Sequence, residues 1–320
     1  MKAALMLDAD TVYIPLDRWI QTAIEWIALH FRPAFRTVRW PIDELLNLIE
    51  GGLQATPPLL FILIFALLSL WLAGRRTGIF TVVALFVILL LGIWEPTMTT
   101  LALIATAIVI CVIIGIPIGI LCARSDKAWR IVRPILDVMQ TTPSFVYLIP
   151  VVMLFGVGTV PGAVAVIVVA VPPLIRFTNI GIRGVDRELI EAGIAFGATE
   201  RQLLWEIQLP QALPTILGGL NQTVLMAMVM SVIVAMIGAE GLGLVVLQGL
   251  GRLDVGRAAI GGIGIVLMAI ILDRLTQAVA ERDPKKASPF ARLAGAGRMI
   301  MGGRSRGADT ATATPADSKN

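Results

Sequence analysis

The chain has 320 residues, 57% of them hydrophobic and only 15% charged, and its mean hydropathy is +0.85. Soluble domains carry about 25% charged residues, so a chain of this length with so few could not cover its own surface. The composition excludes a soluble enzyme and points to a polytopic membrane protein. The net charge of +4 is concentrated in loops and the C-terminal tail, which suits membrane orientation better than nucleic-acid binding.

The residue inventory excludes further chemistry. The two cysteines, Cys111 and Cys122, lie in one apolar stretch and are too few for a disulfide framework or a structural metal site. His30 is the only histidine, which argues against a Ser/His/Asp triad, a His-rich metal centre or a histidine proton relay. No G-x-x-x-x-G-K-[ST] phosphate loop is present, so the chain is not expected to hydrolyse ATP itself. No metal, cofactor or catalytic group is expected.

In chain order, residues 1–52 form a non-spanning region, and their first residues have too short an apolar run for a signal peptide. Ile20, Ile24, Ile27 and Phe31 fall on one helical face, with Trp19, Trp26 and Trp40 nearby. That face suits either a helix on the membrane surface or one packed against the bundle. A bilayer core of about 30 Å takes roughly 20 apolar residues, and candidate spans fall at 53–73, 78–94, 98–123, 135–155, 157–178, 215–239 and 258–275. Pro143, Pro150, Pro161, Pro172 and Pro173 interrupt the fourth and fifth, so these should face other helices or a cavity. After residue 280 the chain becomes rich in Gly, Ala, Ser and Thr and reads as a disordered tail. The expectation is an all-α membrane bundle of about seven transmembrane helices.

Of the 26 lysines and arginines, 19 fall on one side if residues 179–214 and the tail share it, leaving seven on the other. The positive-inside rule then places the N-terminus outside and the C-terminus in the cytoplasm.

The segment between the fifth and sixth spans carries Arg183, Asp186, Arg187, Glu188, Glu191, Glu200, Arg201 and Glu206. At about 2.5–3.5 kcal/mol per buried charge, inserting it would cost roughly 20 kcal/mol or more. It therefore belongs in water or against another protein. Leu189, Ala192, Phe196, Leu203, Leu204 and Ile207 still repeat with helical periodicity, and Gly193 and Gly197 lie four apart. Together they suggest one smooth docking notch.

Glu191-Ala192-Gly193, three residues, Gly197, nine residues and Ile207-Gln208-Leu209-Pro210 resemble the EAA loop of ABC importer permeases, with Gly193 where alanine is usual. The resemblance implies a type I ABC importer permease fold in a bacterial inner membrane, with a coupling loop over about 183–214. Glu191, Ala192, Gly193, Gly197, Leu209 and Pro210 would then dock an ABC ATPase subunit. HFRP at 30–33, QTTPSFVYLIP at 140–150, GLNQT at 219–223, GAEGLG at 238–243 and GLGRLDVG at 249–256 resemble one subfamily, the permeases of glycine betaine, proline betaine and choline importers. The similarity runs over about residues 15–280. It implies an extracytoplasmic substrate-binding protein and a second permease copy as partners, in the lipid bilayer, and no nucleic acid.

Polar residues within spans usually face protein or water. Gln140, Thr141, Thr142, Ser144 and Tyr147 in the fourth span, with Asn221, Gln222 and Thr223 in the sixth, are candidates for a translocation path. Interhelical hydrogen bonding is the other reading. Rival functions are a permease for another small solute, such as an amino acid, and an ATP-independent secondary transporter. The latter needs an ion site, and no span carries an Asp, Glu or His at its centre.

Overall fold

A computed structural model describes residues 16–280; the expected disordered tail, 281–320, lies outside them. Among the described residues the secondary structure is helical throughout. The helices are α1 (Leu16–His30), α2 (Arg32–Ala55), α3 (Pro58–Ala73), α4 (Arg75–Leu90), α5 (Trp94–Arg124), α6 (Asp126–Thr141), α7 (Leu148–Phe155) and α8 (Thr159–Arg183). They continue with α9 (Arg187–Ala195), α10 (Glu200–Gln202), α11 (Leu209–Ile233), α12 (Leu242–Gly251) and α13 (Val255–Ala280). Short 3-10 turns at Ser144–Tyr147 and Val234–Ile237 and a π-helical turn at Leu203–Gln208 join some of them.

Helix α8 is the axis of the core. Small residues set its approach to its neighbours. A Cβ on Gly119 of α5 would lie 2.5 Å from Thr178 Cβ, and one on Gly219 of α11 would lie 2.5 Å from Phe177 Cβ. Without a cohesive hydrophobic drive in lipid, close backbone packing of this kind holds membrane helices together. Gly115, one turn before Gly119, meets Leu174 and Val171 of α8, so the two glycines together set the α5–α8 crossing. Gly162 of α8 also allows a close approach, since a Cβ there would lie 2.9 Å from Ala239 Cβ, whereas Gly158 sits at φ +123° before α8 and its N–H donates to Ile237 O at 2.9 Å.

Four helical runs are long and apolar enough to cross a membrane unbroken, at 94–124, 159–183, 200–237 and 255–280. Three expected spans differ from this form, so the described residues offer four to six crossings rather than about seven. The first begins only at Pro58, because the chain turns 105° between α2 and α3 at Thr56 and Pro57. The second, expected at 78–94, is α4, whose 16 residues fall short of the roughly 20 that a bilayer core takes. The fourth is not one helix: α6 and the segment Ser144–Phe155 meet at 107°. Pro143 withholds an N–H and forces Thr142 to an extended ψ of 130°. Helices α3 and α4 pair as a hairpin across Gly74, tied by Thr81 donating to Ser69 at 3.0 Å.

The N-terminal region divides between its two expected arrangements. Helix α2 is held to the bundle: Ile42 and Leu46 are buried, Thr99 donates to Glu50 at 2.7 Å and Arg39 donates to Phe155 O at 3.1 Å. Helix α1 leaves Trp19, Ile20, Trp26 and Ile27 exposed. Such an uncovered amphipathic face fits the bilayer interface.

Candidate functional site

The charged segment folds as a helical hairpin whose corner is set by two successive signals. Helix α9 ends in a Schellman motif: Gly197, at φ +82°, donates to Ile194 O at 2.9 Å, and Ala198 donates to Gly193 O at 3.0 Å. Two residues later Thr199 starts the return. Its hydroxyl accepts from Gln202 N at 3.4 Å and its N–H donates to Gln202 Oε1 at 2.9 Å, a reciprocal capping box. Phe196 stands at the corner, 94% exposed.

The return arm of the hairpin is one continuous helical run from Glu200 to Ile237. Its π-helical turn precedes Pro210, which has no N–H to offer a carbonyl four residues back. Leu209 N–H instead reaches Leu204 O, five residues back. Helix α9 rests on this turn through Gly193, where a Cβ would come within 2.7 Å of both Ile207 Cδ1 and Leu203 Cδ2.

The expected docking notch is therefore corrected. Gly193 is buried and faces the hairpin's own second arm, while Gly197 has open space around it and serves the turn. The two glycines do not form one outward patch. Phe196, read from periodicity as part of the apolar face, points outward instead, because the helix stops before that position completes the repeat. Glu191, Ala192 and Pro210 are exposed, and Leu209 is half-buried.

One ion pair ties the start of the return arm to the bundle, and a second joins α8 to α6 just before the hairpin. Arg124, the last residue of α5, meets Glu200 at 2.8 Å. Arg183, the last of α8, meets Asp126 at 2.7 Å and also donates to Cys122 O at 2.8 Å and Asn179 Oδ1 at 3.0 Å. No sequence spacing announces these pairs, since the partners are more than fifty residues apart. The exposed aromatic at 196, beside a glycine in a charged stretch, was the available signal for the corner.

The fourth-span candidates gather at the 107° break. Thr142 Oγ1 donates to Val138 O at 2.8 Å, Thr141 Oγ1 to the same carbonyl at 3.3 Å, and Tyr147 OH to Met139 O at 2.8 Å. Pro143 leaves Met139 O without its i+4 donor, and Tyr147 OH fills that place; Val138 O already accepts from Thr142 N at 3.1 Å, and the two threonine hydroxyls add to it. Gln140 and Thr141 are exposed and Ser144 is half-buried. The sixth-span candidates diverge. Asn221 turns to α13, where it donates to Asp273 at 3.2 Å and accepts from Thr276. Thr223 is buried and donates to Gly219 O of its own helix at 3.0 Å. Gln222 is half-buried.

A family model described as "Binding-protein-dependent transport system inner membrane component" matches residues 115–282, the stretch that holds α8, the hairpin and α11. The chain belongs to that family. It is similar to the glycine betaine/proline betaine transport system permease protein ProW of Escherichia coli (strain K12), 52% identical over 85% of this chain and 77% of that one. It is also similar to the glycine betaine transport system permease protein OpuAB of Bacillus subtilis (strain 168), 43% identical over 86% of this chain and 98% of that one. A solved structure of the MetNI methionine ABC transporter in inward-facing conformations shares the fold, with a TM-score of 0.54 at 22% identity over 59% of this chain and 94% of that one. The fold is that of a type I ABC importer permease. The protein is a multi-pass inner-membrane transport subunit that works with a binding protein.

Proposed function

We propose that this permease carries quaternary-ammonium osmoprotectants, glycine betaine, proline betaine or choline, inward under the drive of ATP hydrolysed on a separate ATPase chain. The observation that carries this reading is the corner of the hairpin, an exposed aromatic on a rigid turn at the head of an unbroken helical run. The glycine betaine and proline betaine for which the ProW and OpuAB relatives are named support the cargo. In the proposed arrangement the N-terminus lies outside, the C-terminus lies in the cytoplasm and two permease copies flank the path.

The hairpin would seat in the ATPase with Glu191, Ala192, Phe196 and Gly197 at its outer surface. Gly193 would keep its two arms together, and Leu209 and Pro210 would join it to the long run. The 38 residues of that run extend about 57 Å at 1.5 Å per residue, so a push at the hairpin moves the opposite end of the bundle without an intervening hinge loop. Gln140, Thr141, Thr142, Ser144 and Tyr147 at the break, with Gln222, would border the path. Asn221 and Thr223 would brace its walls.

The test is uptake of labelled glycine betaine and choline in cells with and without this chain, before and after ATP depletion. Chain-dependent uptake that collapses with ATP is the expected result, and competition names the preferred cargo. Uptake that persists without ATP would favour a secondary transporter. No chain-dependent uptake of either solute would remove the cargo assignment, and an amino-acid panel would follow.

A further inference from the structure

Helix α6 climbs along α8 from its Arg183 end. Asp126 meets Arg183, and eleven residues later Asp137 meets Arg176, seven residues further up α8. At 1.5 Å per residue the second pair lies roughly 10 Å deeper along α8 than the first. Arg130, Arg133, Asp137, Gln140 and Thr141 recur at three- and four-residue steps and so share one face of α6. An adjacent face, Trp129, Val132, Leu136 and Met139, packs into the core, and Ile131, Ile135 and Val138 on the remaining side are exposed.

The polar face is not sealed. The side chains of Arg133, Asp137 and Arg176 are 65%, 49% and 30% exposed. Three charges at this depth cannot face hydrocarbon, at about 2.5–3.5 kcal/mol each, so they face water or protein. Arg133 Nε lies 4.0 Å from Asp137, leaving the trio with one positive charge in excess. Arg176 engages Asp137 through Nη2 alone, while its Nε is buried without a hydrogen-bond partner. One edge of the guanidinium fork is thus half used. Once the side chain turns out of its buried position and releases Asp137, a carboxylate meeting that edge would take both donors, the geometry in which arginine binds carboxylates best.

We propose that Asp137 and Arg176 form a transient zwitterion site on the wall of the path. It rests on the betaine-importer reading. The carboxylate of the betaine takes the Nε and Nη2 edge of Arg176, and its quaternary ammonium lies against Asp137. In the empty state the two side chains neutralise each other, so the site closes on itself after release. Arg176 confers the preference for a zwitterion over a simple cation, because choline has no carboxylate to offer it.

The experiment uses the purified permease–ATPase complex in nanodiscs without binding protein, with saturation-transfer NMR on the methyl protons of glycine betaine and of choline. The wild type is expected to give a titratable betaine signal. R176Q weakens betaine binding about tenfold, the effect of losing a charged hydrogen bond, while choline changes less than twofold. R176K retains the charge but lacks the fork and falls between. Should R176Q fail to assemble with the ATPase, D137N takes its place and weakens both ligands. A betaine signal absent from the wild type, unchanged in the variants, or lost together with choline in R176Q would overturn the site. ATP-driven uptake with the binding protein present would stand untouched by that result, so the two readings fail separately.

Discussion

The hairpin at residues 187–208 and the break at residues 142–147 are both places where a helix stops and the chain changes direction, yet they are built in opposite ways. At the hairpin, Gly197 supplies a left-handed residue and Thr199 a fresh N-cap, and the corner pushes Phe196 into the open. At the break, Pro143 ends α6 and strands Met139 O, onto which the Tyr147 hydroxyl folds back, while the hydroxyls of Thr141 and Thr142 reinforce Val138 O. The difference is the solvent. A corner in water can leave backbone groups to water and use its side chains for a partner. A corner among membrane helices must satisfy its own backbone first.

Replacing Phe196 by Asp is the strongest challenge to that contrast. The side chain is almost fully exposed, so the hairpin should fold unchanged. Loss of a buried aromatic anchor costs about 2 kcal/mol or more, roughly thirtyfold in ATPase affinity. Co-purification of the ATPase checks it, and undiminished retention would sink the docking assignment.

Gly193 asks whether the inner seam matters as much as the tip. Gly193→Leu must part the two arms and is expected to cost about 1–3 kcal/mol of local stability, seen as faster proteolysis at 196–199 and reduced uptake. Gly193→Ala meets only the mobile ends of Leu203 and Ile207 and should stay within about 1 kcal/mol of wild type. Equal behaviour of the two would mean that the arms are not closely packed.

Gly197 separates backbone from charge. A Cβ there meets nothing within 4 Å, so Gly197→Ala costs only the left-handed conformation, about 1–2 kcal/mol. Asn tolerates that region, and Gly197→Asn should transport nearly as wild type. Gly197→Asp has a similar shape, so any further loss of transport with the complex inserted reports the added charge against the ATPase. Identical uptake by the Asn and Asp variants would remove the turn from the docking surface.

Tyr147→Phe is the mildest test. It deletes the bond to Met139 O, worth about 1 kcal/mol, and should lower the thermal midpoint slightly while leaving ATPase binding intact. A loss of ATPase binding here would mean that the break and the hairpin are one device.

Much of the hairpin was legible. Its charge load excluded insertion and its spacing marked the loop, but the turn that Gly197, Thr199 and Gln202 set was not read, because Gly197 was paired with Gly193 as a notch. Nor was the direction of Gly193 and Phe196, because helical periodicity carried through the corner misassigns both. At the break, Pro143 announced an interruption but not its 107° angle. Asn221 was open to either a path or a neighbouring helix, and its choice of Asp273 depends on how α11 and α13 cross.

Composition and charge asymmetry, summed over hundreds of residues, determined a membrane bundle and its expected orientation by the cost of moving charge into hydrocarbon. The spacing of glycine, proline and glutamate around residues 191–210 determined the family resemblance. The tertiary structure alone decided which charges meet. Arg124 with Glu200, Arg183 with Asp126 and Arg176 with Asp137 join residues far apart in the chain. A pair of that kind depends on where two helices lie against each other, and no local pattern of residues encodes it.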